Sequence, residues 1–276
     1  MPADPDWISA CRRVVARQRH LFAEQATIAE RTVYDGVGEG GDEALVIDRR
    51  CEDLVFEELE GIANAGPSFT AIAEERGAVG FGDPASPVRV VIDPIDGSMN
   101  ARRTLPSHCL SVAVSSGPSM ADVEIAFVHD FGAEEEFVAE RGAGARLNGK
   151  PLRAEGPGRG IEVVGLESAE PGSILAPVEA LAGRAKRIRA IGAIAISLCY
   201  VAAGRFDGMF SARVCRSVDA AAAQLVVREA GGQVEFSRGS LQETPLDLSA
   251  RYKVAAGLEP DVLATMREVQ NTGDPG

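Results

Sequence analysis

Two aspartates lie three residues apart at the end of an apolar run in the stretch VVIDPIDGSMN, Val90 to Asn100. Pro94 fixes one backbone angle and removes a hydrogen-bond donor, while Gly97 permits a sharp turn. Residues from Ser98 onward can begin a helix, whose free amides favour an anion. The turn therefore offers carboxylates for a hard cation beside amide donors for phosphate oxygens. The alternative is an aspartate-rich surface turn in which Ser98 caps a helix.

Four further acidic residues suit the same chemistry. Glu74 and Glu75 directly follow an apolar segment, Asp219 opens an alanine-rich helix, and Asp48 begins a helix after three apolar residues. Each has an ordinary alternative: a solvated strand end for the glutamates, a favourable helix dipole for Asp219 and a simple cap for Asp48. Carboxylates within ~4–6 Å of each other repel by about 3–4 kcal/mol per pair at an effective dielectric near 20. Divalent cations would remove that cost.

The composition is that of an ordinary globular protein. The chain has 276 residues, of which 45% are hydrophobic and 25% charged, enough for a sizeable core in one large α/β domain. Its net charge of −13 disfavours nucleic acid and anionic membranes as partners. Because no apolar run has the length of a membrane span and the N-terminal stretch lacks a signal-peptide core, we expect a cytoplasmic protein.

The cysteines and histidines do not form metal-binding patterns. The five cysteines are odd in number, widely spaced and without a CxxC pair, which predicts free core thiols in a reducing compartment. The three histidines, His20, His108 and His129, have no ligand spacing, which argues against zinc. The acidic residues therefore remain the candidates for binding a cation.

Hydrophobic periodicity predicts a layered α/β fold with mixed sheets. Two helices, over residues 6–31 and 48–64, precede strands at 69–73, 88–92, 110–115 and 123–128, and an Asn148-Gly149 turn predicts a hairpin. The second half alternates strands with helices, including a short helix at 177–183, a buried helix closed by Gly204 and a helix capped by Ser217. We expect one domain over residues 5–269, with lobes at roughly 5–155 and 156–269, and a loose tail at 270–276.

Taken together, the motifs resemble the inositol monophosphatase/fructose-1,6-bisphosphatase family of Mg²⁺-dependent, often lithium-sensitive phosphatases. The hexapeptide DPIDGS is similar to the family motif DP(I/L)DG(T/S), and Glu74-Glu75 has the position of the family's upstream EE pair. The segment VDAAAAQLVVREAGG looks like the family's WDxAAG…EAGG stretch, although Val218 replaces the Trp. The resemblance covers nearly the whole chain and implies an αβαβα sandwich and a homodimer. The net charge, not the resemblance, is the reason to expect no membrane or nucleic-acid partner.

The resemblance also assigns roles to individual residues. Two to three Mg²⁺ ions would be bound. Glu74, Asp93 and the backbone carbonyl of Ile95 would hold the first ion. Asp93, Asp96 and Asp219 would hold the second, so Asp93 would be shared by both. Glu75 would support these ligands or help with a weaker third ion. Asp48 with Ser98 would orient and deprotonate the attacking water, and the amides of Gly97 and Ser98 would grip the phosphate.

The implied substrate is a small polyol or sugar phosphate, hydrolysed by a metal-activated water. Many inositol-specific members carry a Glu where this chain has Ala212, and Arg213 and Arg216 follow. This looks more like the archaeal and actinobacterial dual-activity members, so myo-inositol 1-phosphate, fructose 1,6-bisphosphate or both are expected. Arg216→Ala should then lower use of the bisphosphate most, unless both arginines are merely surface charges. A catalytically silent, metal- or metabolite-binding regulator or scaffold is the alternative function.

Overall fold

The computed structural model describes residues 5–37, 43–156 and 158–272. Within these ranges it has eight α-helices and fifteen strands. The helices are α1 Trp7–Glu24, α2 Ile28–Arg31, α3 Val46–Asn64, α4 Ser98–Arg102, α5 Pro171–Ala180, α6 Ile194–Ala202, α7 Ser217–Glu229 and α8 Pro260–Gln270.

The strands form one short hairpin and two larger sheets. The hairpin and the first sheet contain β1 Tyr34–Val37, β2 Glu43–Leu45, β3 Phe69–Ala73, β4 Gly77–Phe81, β5 Arg89–Asp96, β6 Cys109–Ser115, β7 Val123–Asp130, β8 Glu135–Glu140, β9 Gly144–Leu147 and β10 Lys150–Leu152. The second sheet contains β11 Ile161–Glu167, β12 Ala185–Arg189, β13 Gly208–Ser211, β14 Gln233–Phe236 and β15 Val254–Gly257.

Both larger sheets are mixed. The eight-stranded sheet has the order β10-β9-β8-β7-β6-β5-β3-β4, and its neighbours are antiparallel except for the parallel pair β3 and β5. The five-stranded sheet has the order β12-β11-β13-β15-β14, with β11 parallel to both of its neighbours. Strand β5 lies inside the first sheet and is paired with β3 as far as Ile92 and with β6 as far as Asp96, so it carries Asp93 and Asp96 at its end.

The helices and sheets stack as five layers, which confirms the expected αβαβα architecture. Apolar residues of α1 and α3, such as Val14 and Phe56, pack on one face of the first sheet. Helices α6 and α7 lie between the two sheets, and Leu263 and Met266 of α8 cover the far face of the second sheet. Residues 220–223 of α7 are all alanine and almost fully buried, because small side chains let this helix fit between two sheets.

Several predicted boundaries need correction. The single helix expected over residues 6–31 is two helices, because Thr27 and Glu30 form a capping box that starts α2 afresh. The short helix expected at 177–183 is α5, Pro171–Ala180, which begins at the proline that suits a first helical turn. Strands β1, β2, β4 and β14 were not predicted, and β1 and β2 lie in a stretch expected to be a glycine-rich loop.

The ends of two later helices also differ from expectation. The N-cap of α7 is Arg216, whose backbone N–H donates to the carboxylate of Asp219 at 2.7 Å, so Ser217 is not the cap. Gln270, expected in the loose tail, is the buried last residue of α8, and its side-chain amide donates to the carbonyls of Ser211 and Val254. Residues 273–276 of that tail lie outside the described residues.

Other local predictions are confirmed. Strand β3 has the predicted bounds, and Asn148 and Gly149 both have positive φ, at 50° and 76°, as a tight hairpin turn requires. All five cysteines are buried and free. None of the described helices has an apolar stretch long enough to cross a lipid bilayer.

Candidate active site

Four predicted acidic residues line one small pocket. Its volume is about 160 Å³, and it is bordered by side chains from α3, from the turn after β3, from the end of β5 and from the start of α4. These residues are Asp48, Glu74, Glu75, Asp93, Pro94, Ile95 and Ser98. Residues far apart in the sequence are thus brought together, as the resemblance implies.

The bend at Asp93 places its carboxylate toward the pocket. The predicted strand does not stop there: β5 continues to Asp96, but its register with β6 shifts between Asp93 and Asp96. Pro94 has no N–H for the strand ladder, so a bulge forms at this point. The Asp93 carboxylate accepts a hydrogen bond from the Ile95 N–H at 3.0 Å, and buried Gln18 donates to the Pro94 carbonyl at 3.0 Å.

Gly97 allows the chain to turn tightly after the bulge. It is the N-cap of α4 with φ of 86°, and a Cβ there would lie 2.8 Å from the carbonyl oxygen of Ser107 and 3.2 Å from the Ala193 Cβ. Any side chain at this position would therefore meet both strain and a clash. The turn leaves Ser98 exposed at the pocket rim.

Asp96 and Asp219 lie beside the pocket rather than in its lining. Asp96 is 7% exposed, and its Oδ2 accepts a hydrogen bond from the Ala195 N–H at the start of α6 at 2.6 Å. Asp219 lies in the first turn of α7, where it accepts from the Arg216 N–H. Their charges still reach the pocket, since both help to raise the pKa of Asp93.

Burial and mutual repulsion raise the pKa values of the clustered acids. Burial, followed by the charges of Asp96, Glu74 and Asp219, raises the pKa of Asp93 well above its ordinary value. Burial, with the Glu74 charge adding, raises the pKa of Asp48 to about 6 and that of Asp219 to about 6. The cluster thus lacks sufficient positive charge among the described residues.

The oxygens of these acids fit a hard divalent cation. Asp48 Oδ1 and Glu75 Oε2 are buried and have no hydrogen-bond partner among the described residues. Uncompensated buried carboxylates are costly, and an all-oxygen set of donors is the kind that Mg²⁺ and Ca²⁺ prefer. The residues present therefore fit the implied metal.

The acids do not form a complete ligand set in this arrangement. Within residues 5–37, 43–156 and 158–272, no three His, Cys, Asp or Glu side chains are grouped so that they could hold an ion as they stand. A physical reason is visible in their hydrogen bonds. Glu74 contacts the Arg216 guanidinium, and Asp96 and Asp219 accept from backbone amides.

The two predicted arginines have different environments. Arg216 is 13% exposed, and its Nη1 contacts Glu74 Oε1 at the acidic cluster. Arg213 is 53% exposed and forms an ion pair with Glu170. It borders a separate groove of about 280 Å³ together with Ala212 and residues of α5. Only Arg216 is therefore brought to the predicted site.

Glu52 is a buried acid behind the pocket that was not predicted. It is fully buried on α3, one turn after Asp48, and its Oε2 accepts a hydrogen bond from the Glu75 N–H at 3.0 Å. Burial raises the pKa of Glu52 to about 7 and, together with the charge of Glu74, raises that of Glu75 to about 7. The sequence did contain a signal for Glu52: it lies four residues after Asp48, which places both acids on one face of the helix.

Glu167 and Asn100 hold the loop that faces the turn. Buried Glu167, at the end of β11, accepts hydrogen bonds from the N–H groups of Ile191 and Gly192 and from the Ser197 hydroxyl. Asn100 donates to the carbonyls of Ile191 and Ser107, both at 2.7 Å. No local pattern in the sequence indicated these contacts, which join distant segments.

The pKa shifts predict how the metal-free protein responds to pH. Because Glu52 and Glu75 have folded-state pKa values near 7, the folded state binds more protons than the unfolded state as the pH falls from 8 to 6.5. Stability should therefore rise over that window. Below about 6.5 the effect is opposed, since burial lowers the pKa of His108 and His129 to about 4.

We expect the melting temperature in EDTA to be about 2 °C or more higher at pH 6.5 than at pH 8, since one pKa unit is worth about 1.4 kcal/mol. Scanning calorimetry in EDTA measures this. Glu52→Gln should flatten the dependence. A melting temperature that falls between pH 8 and 6.5 would contradict the assignment of raised pKa values.

Size does not distinguish the acidic pocket from other cavities. A groove of about 760 Å³ runs along β4 and is lined by Arg89 and several prolines, and a cavity of about 500 Å³ lies beside Trp7 and Phe69. Neither is lined by any of the predicted site acids. The smaller pocket is the candidate site because of its chemistry.

The fold and this pocket define a class: a five-layered α/β protein with an acidic pocket at the end of a bulged strand in the interior of the first sheet. Comparison with known proteins gives the same class. A profile of the inositol monophosphatase family matches residues 7–271. The chain therefore belongs to the inositol monophosphatase family, a family of phosphatases.

Individual proteins that are similar to this chain in sequence or structure support its membership of the family. A fructose-1,6-bisphosphatase/inositol-1-monophosphatase of Thermococcus kodakarensis is 32% identical over 234 residues, covering 84% of this chain and 85% of the relative. The Nus factor SuhB of Pasteurella multocida is 36% identical over 201 residues, covering 70% and 72%. The crystal structure of the MJ0109 gene product, an inositol monophosphatase-fructose 1,6-bisphosphatase, has a TM-score of 0.83 at 23% identity and covers 96% of this chain and 100% of that one.

Proposed function

We propose that the protein hydrolyses the phosphate monoester of a small polyol or sugar with the help of Mg²⁺. The observation that carries the proposal is the pocket in which Asp48, Glu74, Glu75 and Asp93 converge. Asp48 Oδ1 and Glu75 Oε2 are buried there without a hydrogen-bond partner among the described residues. Glu74, Asp93 and the Ile95 carbonyl would hold one ion, and Asp93, Asp96 and Asp219 a second. Glu75, backed by Glu52, would support the first site or a weaker third one.

The protein's own groups have distinct tasks in this reaction. Bound Mg²⁺ would polarise the phosphoryl oxygens and lower the pKa of the attacking water. Asp48 Oδ1 is available to accept the proton of a water in the pocket, and the Ser98 hydroxyl lies on the pocket lining to orient that water. The Gly97 and Ser98 amides would bind phosphate oxygens. The water would add to phosphorus and give a proton to Asp48 as the P–O ester bond breaks, and the departing oxygen would take up a proton from solvent, so that inorganic phosphate and an alcohol result.

The substrate would be myo-inositol 1-phosphate, fructose 1,6-bisphosphate or both. Two observations support this class: the Thermococcus relative carries both names, and Ala212 replaces the carboxylate that would read inositol hydroxyls. Arg216, which contacts Glu74 at the cluster, would be the arginine that binds a second phosphate after leaving Glu74. A desolvated contact of that kind contributes about 1.5–3 kcal/mol.

A panel of purified phosphate esters, scored by kcat/KM with and without Mg²⁺, tests the proposal. We expect Mg²⁺-dependent phosphate release, with at least one of the two named esters among the best substrates. Failure to release phosphate from any ester at saturating Mg²⁺ would favour the second candidate, a regulator or scaffold. That candidate rests on the similarity to proteins named Nus factor SuhB.

The identity of the cation should matter strongly. Ca²⁺ is larger than Mg²⁺ and prefers more ligands at longer distances, so it should enter the acidic pocket but position the reacting groups poorly. We expect less than a tenth of the Mg²⁺ turnover with Ca²⁺ alone, and inhibition when both are present. Phosphate release with each cation measures this. Equal turnover with the two cations would argue against tight octahedral sites.

A further inference from the structure

Arg216 reaches into the acidic cluster from the second half of the chain. Its Nη1 contacts Glu74 Oε1 across 142 residues of sequence, and the side chains of the pair are 13% and 26% exposed. At the same time its backbone N–H donates to Asp219 at 2.7 Å. Arg216 thus contacts two of the expected cation ligands, one through its side chain and one through its backbone.

The surroundings make this contact unusual for a merely structural ion pair. Asp48, Glu75 and Asp93 lie around Glu74 in the pocket, and the charge of Glu74 raises the pKa of each. The Arg216 guanidinium stays protonated at all working pH values, so it supplies a fixed positive charge where the acids repel each other. It therefore compensates, in the metal-free protein, part of the charge that a divalent cation would compensate.

We propose that Arg216 is a built-in competitor for the divalent cation at Glu74. The proposal rests on the proposed function only in that the acidic pocket binds a cation. A cation held by Glu74 would share this carboxylate with the Arg216 guanidinium, so binding would be opposed by the arginine's charge and would weaken its contact with Oε1. The residue consequently weakens cation binding and stabilises the empty site, and it controls the concentration at which the protein becomes metal-loaded.

The test is a direct binding titration of the metal-free protein with Mn²⁺, followed by the EPR signal of the free ion. Mn²⁺ serves as the spectroscopic substitute for Mg²⁺ at an all-oxygen site. We expect Arg216→Gln to bind the first Mn²⁺ at least about fivefold more tightly than the wild type. Its melting temperature in EDTA should be lower, since the acids lose their compensating charge. A role for Arg216 only as a substrate contact would leave both quantities unchanged.

Arg213→Gln is the matched control. It removes the same charge three residues away, from a side chain that pairs with Glu170 rather than with the cluster. Its Mn²⁺ affinity should stay within about twofold of the wild type, which separates a local effect from that of net charge. If Arg216→Gln does not fold, Arg216→Met, which keeps the length of the stem without the charge, is measured in its place.

The outcomes separate the competitor role of Arg216 from the existence of the metal site. Equal or weaker Mn²⁺ binding by the Arg216 variant, or an equal gain in the Arg213 variant, would overturn the competitor role while leaving the metal site intact. No Mn²⁺ binding by the wild-type protein would overturn the metal site and the competitor role together. Tighter binding confined to the Arg216 variant supports both.

Discussion

Asp93→Asn should lower kcat/KM for phosphate release at least ~10³-fold, because this carboxylate would be shared by two cations. Asp93 is 4% exposed at the bulge of β5, and burial and the charges of three other acids raise its pKa. The amide keeps the size and the hydrogen bond from the Ile95 N–H but loses the negative charge.

The measurement is kcat/KM at saturating Mg²⁺, with circular dichroism to confirm folding. The loss should come with weaker Mn²⁺ binding, whereas the melting temperature in EDTA should rise because a buried, repelled charge has been removed. Retention of more than a tenth of the wild-type activity would show that Asp93 is not shared between ions.

Asp48→Asn should lower kcat by about 10²–10³-fold with little change in KM, since a positioned proton acceptor contributes about 10²–10⁴-fold. Asp48 lines the pocket from α3, and its Oδ1 has no hydrogen-bond partner among the described residues. It is thus free to accept a proton from water. An amide at the same place could orient the water but could not take its proton.

Glu52→Gln, one turn further along the same helix, is the control for Asp48. Glu52 is fully buried behind the pocket and contacts the Glu75 backbone, so its loss should cost less than tenfold in kcat. Steady-state kinetics on one monophosphate substrate compare the two variants. Similar losses in both would indicate that Asp48 acts through folding or charge balance rather than as the proton acceptor.

Local chemistry made the centre of this site predictable. Pro94 and Gly97 each impose a backbone constraint that can be read from residue type, and the structure contains both consequences, the bulge and the turn with positive φ. The acids were recognisable because each follows an apolar strand or begins a helix, and the spacing of the apolar residues in these strands and helices can be read from the sequence. The layered fold followed from the order of those elements.

Long-range pairing was not predictable in the same way. The contact of Arg216 with Glu74 joins residues 142 positions apart, and the bond from Ala195 to Asp96 joins residues 99 apart. Neither partner has a local signature that selects the other. The Ser217 cap was wrongly predicted for a related reason: Asp219 reaches back to the Arg216 N–H, and the hydroxyl of Ser217 instead donates to the Asp247 carbonyl.

The hydrogen bond from the Ala195 N–H to Asp96 links the bulged strand of the first sheet to a helix that lies against the second. Asn100 adds a second link between the same segments through the Ile191 carbonyl. A movement that separates these segments would have to break both hydrogen bonds. If a bound cation drew Asp96 away from the Ala195 N–H, that amide would exchange with deuterium faster. Its exchange rate would then report cation binding from the second half of the chain.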